Sequence, residues 1–175
     1  MRFLRLLTTS LLAPITCLAA PLVSDDDLVL RDDLIYKREN LCSLKSPPQL
    51  CQPNSSVTPE ETALRAYKFY RAFVVDGDPR TMFSLIDSSY IQHHAGYQSG
   101  PQAIWSLFCN GNKIGSEAST AWCFVPSTNM SYARYSTTDR WRWVDGCVHE
   151  HWDSNERIPT TGCAKLPTAT AAPKL

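Results

Sequence analysis

The sequence predicts an α+β fold in which helices precede an antiparallel sheet along the chain. Between Thr58 and Phe108, apolar residues recur at roughly helical spacing. From Thr120 onward the spacing changes to two, in segments rich in Tyr, Trp, Val and Thr, which favour strands. Two of these segments meet at Asp145-Gly146, which is a strong hairpin signal. Helices separated from a sheet in this way are typical of α+β proteins, so we expect them to pack on one curved face of the sheet.

Three helices are predicted, each from a recognisable start signal. The first begins at the N-cap Thr58, which forms a capping box with Glu61, and it ends at Gly77. The second begins at Pro79 and the third at Pro101, because proline is favoured at the first helical position. The apolar side of each helix is expected to be buried.

Four segments are predicted to form strands. A short one lies between the second and third helices, and three longer ones follow the third helix. Their predicted bounds are Tyr90 to His93, Thr120 to Val125, Met130 to Val144, and Cys147 to Asn155.

The hairpin at Asp145-Gly146 also predicts which side chains share a face. A two-residue turn places Val144 opposite Cys147, Trp141 opposite Glu150, and Asp139 opposite Trp152. One face then carries Asp139, Trp141, Trp143, Val148, Glu150 and Trp152. The other face carries Arg140, Arg142, His149 and His151. An apolar wall that contains two carboxylates is typical of a small-molecule pocket.

The first 38 residues are predicted to be removed or to lie outside the domain. Residues 1–19 have the pattern of a secretory signal peptide, with a cleavage site at Cys17-Leu18-Ala19. Residues 20–38 are acidic and end at Lys37-Arg38, a dibasic pair typical of kexin-type processing sites. An ordinary charge pair on an exposed arm is the alternative interpretation of this pair.

The rest of the chain is predicted to form one domain with flanking segments. Residues 39–57 form an arm pinned by disulfides, residues 58–156 form the domain, and residues 157–175 form a disordered tail rich in Thr, Ala and Pro. Seventeen basic residues balance seventeen acidic ones. We therefore expect neither nucleic acid nor an anionic membrane as a partner.

Six cysteines remain once the signal peptide is removed, and an even number is typical of disulfides in an exported chain. Zinc binding is the alternative, but no pair has the C-x-x-C spacing of zinc sites. Proximity along the chain alone suggests the pairs Cys42–Cys51, Cys109–Cys123 and Cys147–Cys163. Asn54 and Asn129 begin acceptor sequences for glycosylation.

Five short motifs are distinctive as a set. They are Tyr90-Ile91-Gln92-His93, Gly100 at the start of a helix, Asp139-Arg140-Trp141-Arg142, Asp145-Gly146, and Glu150-His151-Trp152-Asp153. Together they resemble the SnoaL-like polyketide cyclase family of the nuclear transport factor two-like superfamily, over roughly Thr58 to Asn155. The chain departs from the family at His94-Ala95, where relatives commonly have Asn-Pro. The resemblance implies a cone of curved antiparallel sheet, with three helices packed on one side and a central pocket.

The resemblance also implies a chemistry. The founding enzymes of the family catalyse intramolecular aldol condensation without a cofactor, and an aspartate is their general acid/base. That aspartate corresponds to Asp139, and the family places Gln92 and His93 in the same cavity. The hairpin register independently puts Asp139 on the apolar face. Relatives often dimerise through the open face of the sheet, so a homodimer is expected.

The candidate site therefore combines Asp139 and His93 as catalytic groups with a larger set of binding residues. Burial among aromatic rings disfavours a charged carboxylate, which is what a base working near neutral pH requires. The substrate-binding candidates are Gln92, Tyr67, Tyr70, Trp105, Phe108, Trp141, Glu150 and Trp152. No cofactor is expected, and His149 with His151 lacks a clear third ligand for a metal.

Each candidate also has a structural interpretation. Asp139 could accept a hydrogen bond from a tyrosine or an indole, His93 could be a satisfied core histidine, and the aromatic residues could be plain core. The predicted function is cofactor-independent cyclisation, isomerisation or dehydration of a small aromatic or polyketide-like metabolite by a secreted protein. The alternative is a secreted module on the same fold that binds a small molecule, or a second copy of itself, without catalysis.

Overall fold

The computed structural model describes residues 41–111 and 120–166, and it is an α+β fold. Its helices are α1 (Pro59–Tyr70), α2 (Pro79–Phe83) and α3 (Pro101–Phe108), with short 3₁₀ turns at Leu41–Ser43 and Pro126–Thr128. Its strands are β1 (Ile86–Gln92), β2 (Ala121–Val125), β3 (Met130–Arg134), β4 (Thr138–Val144) and β5 (Cys147–Trp152). The predicted segments 1–19 and 20–38 lie outside the described residues.

The predicted start of the first helix is confirmed. The Thr58 hydroxyl accepts a hydrogen bond from the Glu61 backbone N–H at 3.2 Å, and the Glu61 carboxylate accepts one from the Thr58 N–H at 2.9 Å. Beyond α1 the chain continues as a π-helical segment, Arg71–Asp76, which ends at Gly77 in the left-handed conformation with φ = 63°. Glycine is favoured there because a side chain would crowd the backbone.

The sheet has the order β1-β5-β4-β3-β2. Strands β2 to β5 form antiparallel neighbours, but β1 pairs in parallel with β5. The prediction of an entirely antiparallel sheet is therefore wrong at β1. Alternation of side chains is the same in both kinds of pairing, so the sequence pattern carries no information on direction. The sheet is mixed, with β1 and β2 as its edges.

Two predicted strand bounds also differ from the structure. Strand β1 begins at Ile86 rather than at Tyr90. The predicted segment from Met130 to Val144 is divided into β3 and β4 by a turn in which the Tyr135 N–H donates to the Thr137 carbonyl at 2.9 Å. The turn places Tyr135 at one end of the sheet, close to the start of β4.

The hairpin between β4 and β5 has the predicted turn but not the predicted register. Asp145 and Gly146 both have positive φ, at 49° and 78°, as a type I′ turn requires. Val144 pairs with Cys147 as predicted, but an extra residue in β5 then shifts the pairing, so that Arg142 faces Glu150 and Trp141 faces His151. This irregularity is a β-bulge at the position of His149. It turns His151 inward and turns Glu150 and Trp152 to the opposite face.

The core lies between the sheet and the helices. The largest fully buried side chains include Trp143 of β4, Phe83 of α2 and Phe124 of β2. The Trp143 indole N–H donates to the Ser131 hydroxyl at 2.8 Å, which satisfies both polar groups inside the core. Helix α1 contacts β2 and β3, whereas α3 contacts β1, so a helix packs near each edge of the sheet.

All six cysteines of the described residues form disulfides, as predicted, but the predicted pairs are wrong. The bonds join Cys42 to Cys109, Cys51 to Cys147, and Cys123 to Cys163. Proximity along the chain fails as a guide because the arm does not close on itself. Instead it runs beside β1, where the Cys51 N–H donates to the Ile86 carbonyl at 2.8 Å. The arm is thus pinned to α3 and to the β4–β5 hairpin.

The segment after β5 is attached to the sheet in its described part. Cys163 is bonded to Cys123, and the Ala164 N–H donates to the Phe124 carbonyl at 2.7 Å. The prediction of a disordered tail is therefore wrong at these two residues, and residues 167–175 lie outside the described part. Within residues 41–111 and 120–166, none of the helices combines the length and apolar character needed to span a bilayer.

Candidate functional site

A cavity opens between the sheet and the helices, and its walls are mostly apolar. Its volume is about 130 Å³. Phe69, Phe73, Phe108 and Trp141 contribute aromatic rings to the wall. Phe69 and Phe73 meet the Trp141 ring edge-on, with ring centroids 5.2 and 5.6 Å apart. An apolar space with few polar groups is the usual form of a small-molecule site.

Seven polar residues line the cavity: Tyr90, Gln92, Tyr97, Tyr135, Asp139, His151 and Asp153. Alternation along β4 turns Asp139 and Trp141 to the same side, and both are buried. The bulge in β5 brings His151 to that side, opposite Trp141. The end of β1 supplies Gln92, and the turn between β3 and β4 supplies Tyr135. The polar groups thus come from different strands and meet at one end of the sheet.

Asp139 is the centre of a polar cluster. The Tyr135 hydroxyl donates to Asp139 Oδ2 at 2.6 Å, and His151 Nε2 lies 3.1 Å from the same oxygen. The second contact is an electrostatic one, because the ring nitrogen is not aligned for a hydrogen bond. Asp139 Oδ1 has no hydrogen-bond partner among the described residues, although the side chain is only 3% exposed. An unpaired buried carboxylate oxygen is costly, and such groups are frequent at functional sites.

A second carboxylate lies at the rim of the cavity. Asp153 Oδ2 is 2.5 Å from His94 Nδ1, and the His94 ring lies against Tyr97 with centroids 4.8 Å apart. The Asp153 side chain is 20% exposed, so it is more open to solvent than Asp139. The cavity therefore contains a deep and a shallow carboxylate, each beside an imidazole.

Two of the cavity tyrosines, Tyr90 and Tyr135, are held in the protonated form. Burial raises the pKa of both Tyr90 and Tyr135, and the nearby Asp139 carboxylate raises each pKa further. A phenol in this state donates a hydrogen bond rather than carrying a negative charge. Gln92 Nε2 donates to the Tyr90 hydroxyl oxygen at 3.3 Å, which leaves the Tyr90 proton for another acceptor.

Three predicted site residues lie outside this cavity, on the other face of the sheet. His93 Nε2 is 2.9 Å from Glu150 Oε2, and the His93 ring stacks on Trp152 with centroids 4.5 Å apart. Arg142 also pairs with Glu150, and Arg140 lies over the Trp152 ring. The predicted inward positions of these three residues are therefore wrong. The bulge exchanges the two faces of β5 beyond His149, which moves Glu150 and Trp152 outward. His93 points outward because its neighbour Gln92 points into the cavity.

Glu150 is stabilised as a charged group on that outer face. Its partial burial acts to raise its pKa, but the hydrogen bonds from His93 and Arg142 outweigh this effect, and the pKa of Glu150 is lowered overall. A regular register would have faced Glu150 inward, opposite Trp141. The bulge instead pairs the carboxylate with an arginine, which avoids the larger cost of burying an unpaired charge.

The remaining predicted binding residues divide into two groups. Gln92, Phe108 and Trp141 line the cavity together with Asp139. Tyr67, Tyr70 and Trp105 are not among its lining residues. Tyr67 contacts Trp122 and Tyr70, and Trp105 packs edge-on against Phe83 and donates its indole N–H to the Leu44 carbonyl at 3.0 Å. These three residues stabilise the helices.

Sequence reasoning misses His151, Tyr135, Tyr90 and Asp153 as cavity residues. It assigns His151 to the outer face because no sequence signal marks the bulge. A signal does exist for Tyr135, since the run of Ser and Thr after it is typical of a turn that would bring it back beside Asp139. Tyr90 belongs to the quoted strand motif and precedes Gln92 by two residues, so the two share a face.

A second aspartate–histidine pair lies away from the cavity. Asp87 Oδ2 is 2.7 Å from His149 Nδ1, and Asp87 Oδ1 accepts hydrogen bonds from the Ser89 N–H and hydroxyl. The Asp87 side chain is 3% exposed, as is that of Asp139. This pair resembles the cavity pair in composition and burial but lines no part of the cavity, so it offers a matched control.

The part of the chain that the structure describes contains no group of three His, Cys, Asp or Glu side chains placed to hold a metal ion. The two predicted glycosylation acceptors, Asn54 and Asn129, are both exposed. Comparisons with models of protein families, with curated proteins and with solved structures give no match.

Proposed function

We propose that this protein is a secreted SnoaL-like domain with a cone-shaped sheet, whose cavity performs cofactor-independent acid/base chemistry. The reaction is a cyclisation, isomerisation or dehydration of a small aromatic or polyketide-like metabolite. The observation that carries the proposal is the contact of Asp139 with His151 and Tyr135 in the wall of an aromatic cavity. Three disulfides are compatible with export, since such bonds persist in oxidising compartments.

The chemistry would begin with removal of a proton from a carbon beside a carbonyl group. Asp139 and His151 together supply the base, and the electron pair left on carbon moves to the carbonyl oxygen. The protonated phenol of Tyr90 would donate a hydrogen bond to that oxygen and so stabilise the developing charge. Return of the proton to another atom completes an isomerisation. In a cyclisation the carbanion attacks a second carbonyl group, and transfer of the same proton to the resulting alkoxide completes the reaction.

The charges around the cavity favour a ligand without negative charge. Among the described residues, those that line the cavity include two aspartates and no lysine or arginine. A carboxylate or phosphate ligand would meet Asp139 and Asp153 without a permanent cation to offset them. The aromatic rings instead suit a planar, uncharged molecule.

A binding module without catalysis is the second candidate function. It is favoured by the depth of Asp139, whose oxygens are almost inaccessible to a molecule of the size of water. In that case the polar cluster would stiffen the cavity wall, and the cavity would hold a ligand or the open sheet face would pair with a second copy.

The first experiment is native mass spectrometry of the protein purified from the culture medium of its producer. A small-molecule adduct gives the mass of the ligand, which is then supplied to the Asp139→Asn variant in a turnover assay. Asp87→Asn is the matched control, because it removes the charge of an equally buried aspartate paired with a histidine.

The proposal predicts that Asp139→Asn lowers turnover by at least about a hundredfold, the contribution of a general acid or base. The same variant should change ligand affinity little, and Asp87→Asn should leave turnover within a few-fold of the wild-type value. Equal turnover in the two variants contradicts the acid/base role. Binding without any turnover in the wild-type protein supports the second candidate.

A further inference from the structure

The side-chain amide of Gln92 is held in one orientation. Its oxygen accepts a hydrogen bond from the His94 backbone N–H at 3.0 Å, and its nitrogen donates to the Tyr90 hydroxyl at 3.3 Å. Rotating the amide by half a turn would place its NH₂ group against the His94 N–H, so that two donors would face each other. The backbone contact therefore identifies Oε1 as the atom that faces His151.

This orientation decides which nitrogen of His151 carries a proton. His151 Nδ1 lies 2.9 Å from Gln92 Oε1, which is an acceptor that already receives the His94 N–H. A bare Nδ1 would place two lone pairs against each other, so Nδ1 must be the donor. The ring is also held in its plane by Trp141, which stacks on it with centroids 5.2 Å apart and a 17° angle between the rings.

We infer that Gln92 is a positioning residue that fixes the proton of the neutral His151 ring on Nδ1 and so leaves Nε2 as the unprotonated nitrogen that faces Asp139. With Nδ1 protonated, Nε2 of a neutral ring has a lone pair 3.1 Å from Asp139 Oδ2. This tautomer therefore turns the unprotonated nitrogen of the ring towards the carboxylate of Asp139.

The other histidines show why this arrangement is distinctive. All four histidines of the chain are described, and each lies beside a carboxylate. His93 turns Nε2 to its carboxylate, whereas His94 and His149 turn Nδ1. His151 alone among them has a protein oxygen within 3.1 Å of each ring nitrogen. An uncharged amide holds one nitrogen and a carboxylate faces the other.

The location of the proton can be measured without a substrate. We would label the histidines with ¹⁵N and follow both ring nitrogens of each by two-bond ¹H–¹⁵N correlation, from about pH 5 to about pH 9. In the wild-type protein, His151 Nδ1 should have the shift of a protonated nitrogen at every pH. His93 serves as an internal standard for the other tautomer. Its Nε2 faces the Glu150 carboxylate, so Nε2 rather than Nδ1 should carry the proton when the ring is neutral.

Gln92→Leu removes the acceptor and keeps an apolar side chain of similar length. In this variant, His151 Nδ1 should lose its proton as the ring becomes neutral, because Nε2–H can then donate to Asp139. Gln92→Glu restores an acceptor oxygen and should restore the protonated Nδ1. Gln98→Leu is the matched control, since it makes the same change at an exposed glutamine in the loop that follows β1.

A deprotonated Nδ1 in wild-type His151 at any pH in this range overturns the inference, and that measurement needs no variant to fold. A protonated Nδ1 that persists in Gln92→Leu overturns the role of Gln92. The catalytic relevance rests on the proposed function, but the two fail separately. The proton location is determined by NMR, whereas the acid/base role is determined by turnover of Asp139→Asn against Asp87→Asn.

Discussion

Replacing Gly146 by alanine tests how closely the β4–β5 hairpin is docked against the rest of the domain. Gly146 has φ = 78°, and a Cβ atom there would lie 2.8 Å from Val57 Cγ1 and 3.0 Å from an Arg65 guanidinium nitrogen. The Arg65 nitrogen also donates to the Gly146 carbonyl at 3.2 Å. The substitution therefore strains the backbone and overlaps a branched side chain that has few alternative rotamers.

Two contributions determine how much Gly146→Ala should lower the free energy of unfolding. A left-handed conformation costs a residue with a side chain about 1–2 kcal/mol, and overpacking of a filled site typically costs about 1–3 kcal/mol. We therefore expect Gly146→Ala to lower the free energy of unfolding by about 2–5 kcal/mol. Gly96→Ala is the control, because Gly96 has φ = 103° but no atom lies within 4 Å of the place that a Cβ atom would occupy. Gly96→Ala should therefore lower the free energy of unfolding only by the backbone contribution.

The assay is equilibrium unfolding in urea, followed by tryptophan fluorescence, since Trp141 and Trp143 lie on the strand that enters this turn. The double variant Gly146→Ala/Val57→Ala separates the two contributions, because it removes the overlapping methyl groups. It should be less destabilised than the sum of the single variants by about 1 kcal/mol or more. Equal losses in Gly146→Ala and Gly96→Ala, or strict additivity with Val57→Ala, would refute the reasoning.

Two further predictions concern charge and covalent links. The lowered pKa of Glu150 means that its charge stabilises the folded state above its unfolded pKa of about 4.3, and that this contribution is lost as pH falls through the folded pKa. Glu150→Gln should therefore be less stable than the wild type near pH 6 and similar to it near about pH 2, and a difference that is constant with pH contradicts this. Replacing Cys51 and Cys147 together by alanine opens a loop with a sequence separation of 96, and it should cost about 4–5 kcal/mol in the same urea assay. A loss below about 2 kcal/mol argues against that bond as a major constraint on the unfolded chain.

Local signals in the sequence are sufficient for several elements of the fold. The capping box at Thr58 and the prolines at the helix starts depend on neighbouring residues, and the helices begin where these signals predict. The turn at Asp145-Gly146 is predictable for the same reason, because positive φ at two successive positions favours this pair. Alternation along β4 correctly places Asp139 on the buried face.

Features that depend on distant parts of the chain are not predictable in this way. The direction of β1 and the disulfide partners are decided by how the arm crosses the sheet. The bulge in β5 depends on an energetic choice between burying Glu150 and burying His151, which no periodicity reveals. That one inserted position brings His151 beside Asp139 and turns Glu150 and Trp152 to the outer face, because the predicted register holds only near the turn.

The order of the disulfides has a consequence for how the protein is made. Counted from Cys42, the first cysteine pairs with the third, the second with the fifth, and the fourth with the sixth. As the chain emerges from the ribosome, Cys42 meets Cys51 long before either native partner exists. A bond formed at that moment must be broken again by attack of a later thiol. In an oxidising compartment we therefore expect an isomerase that reshuffles bonds to raise the yield of the native pairs more than a stronger oxidant does.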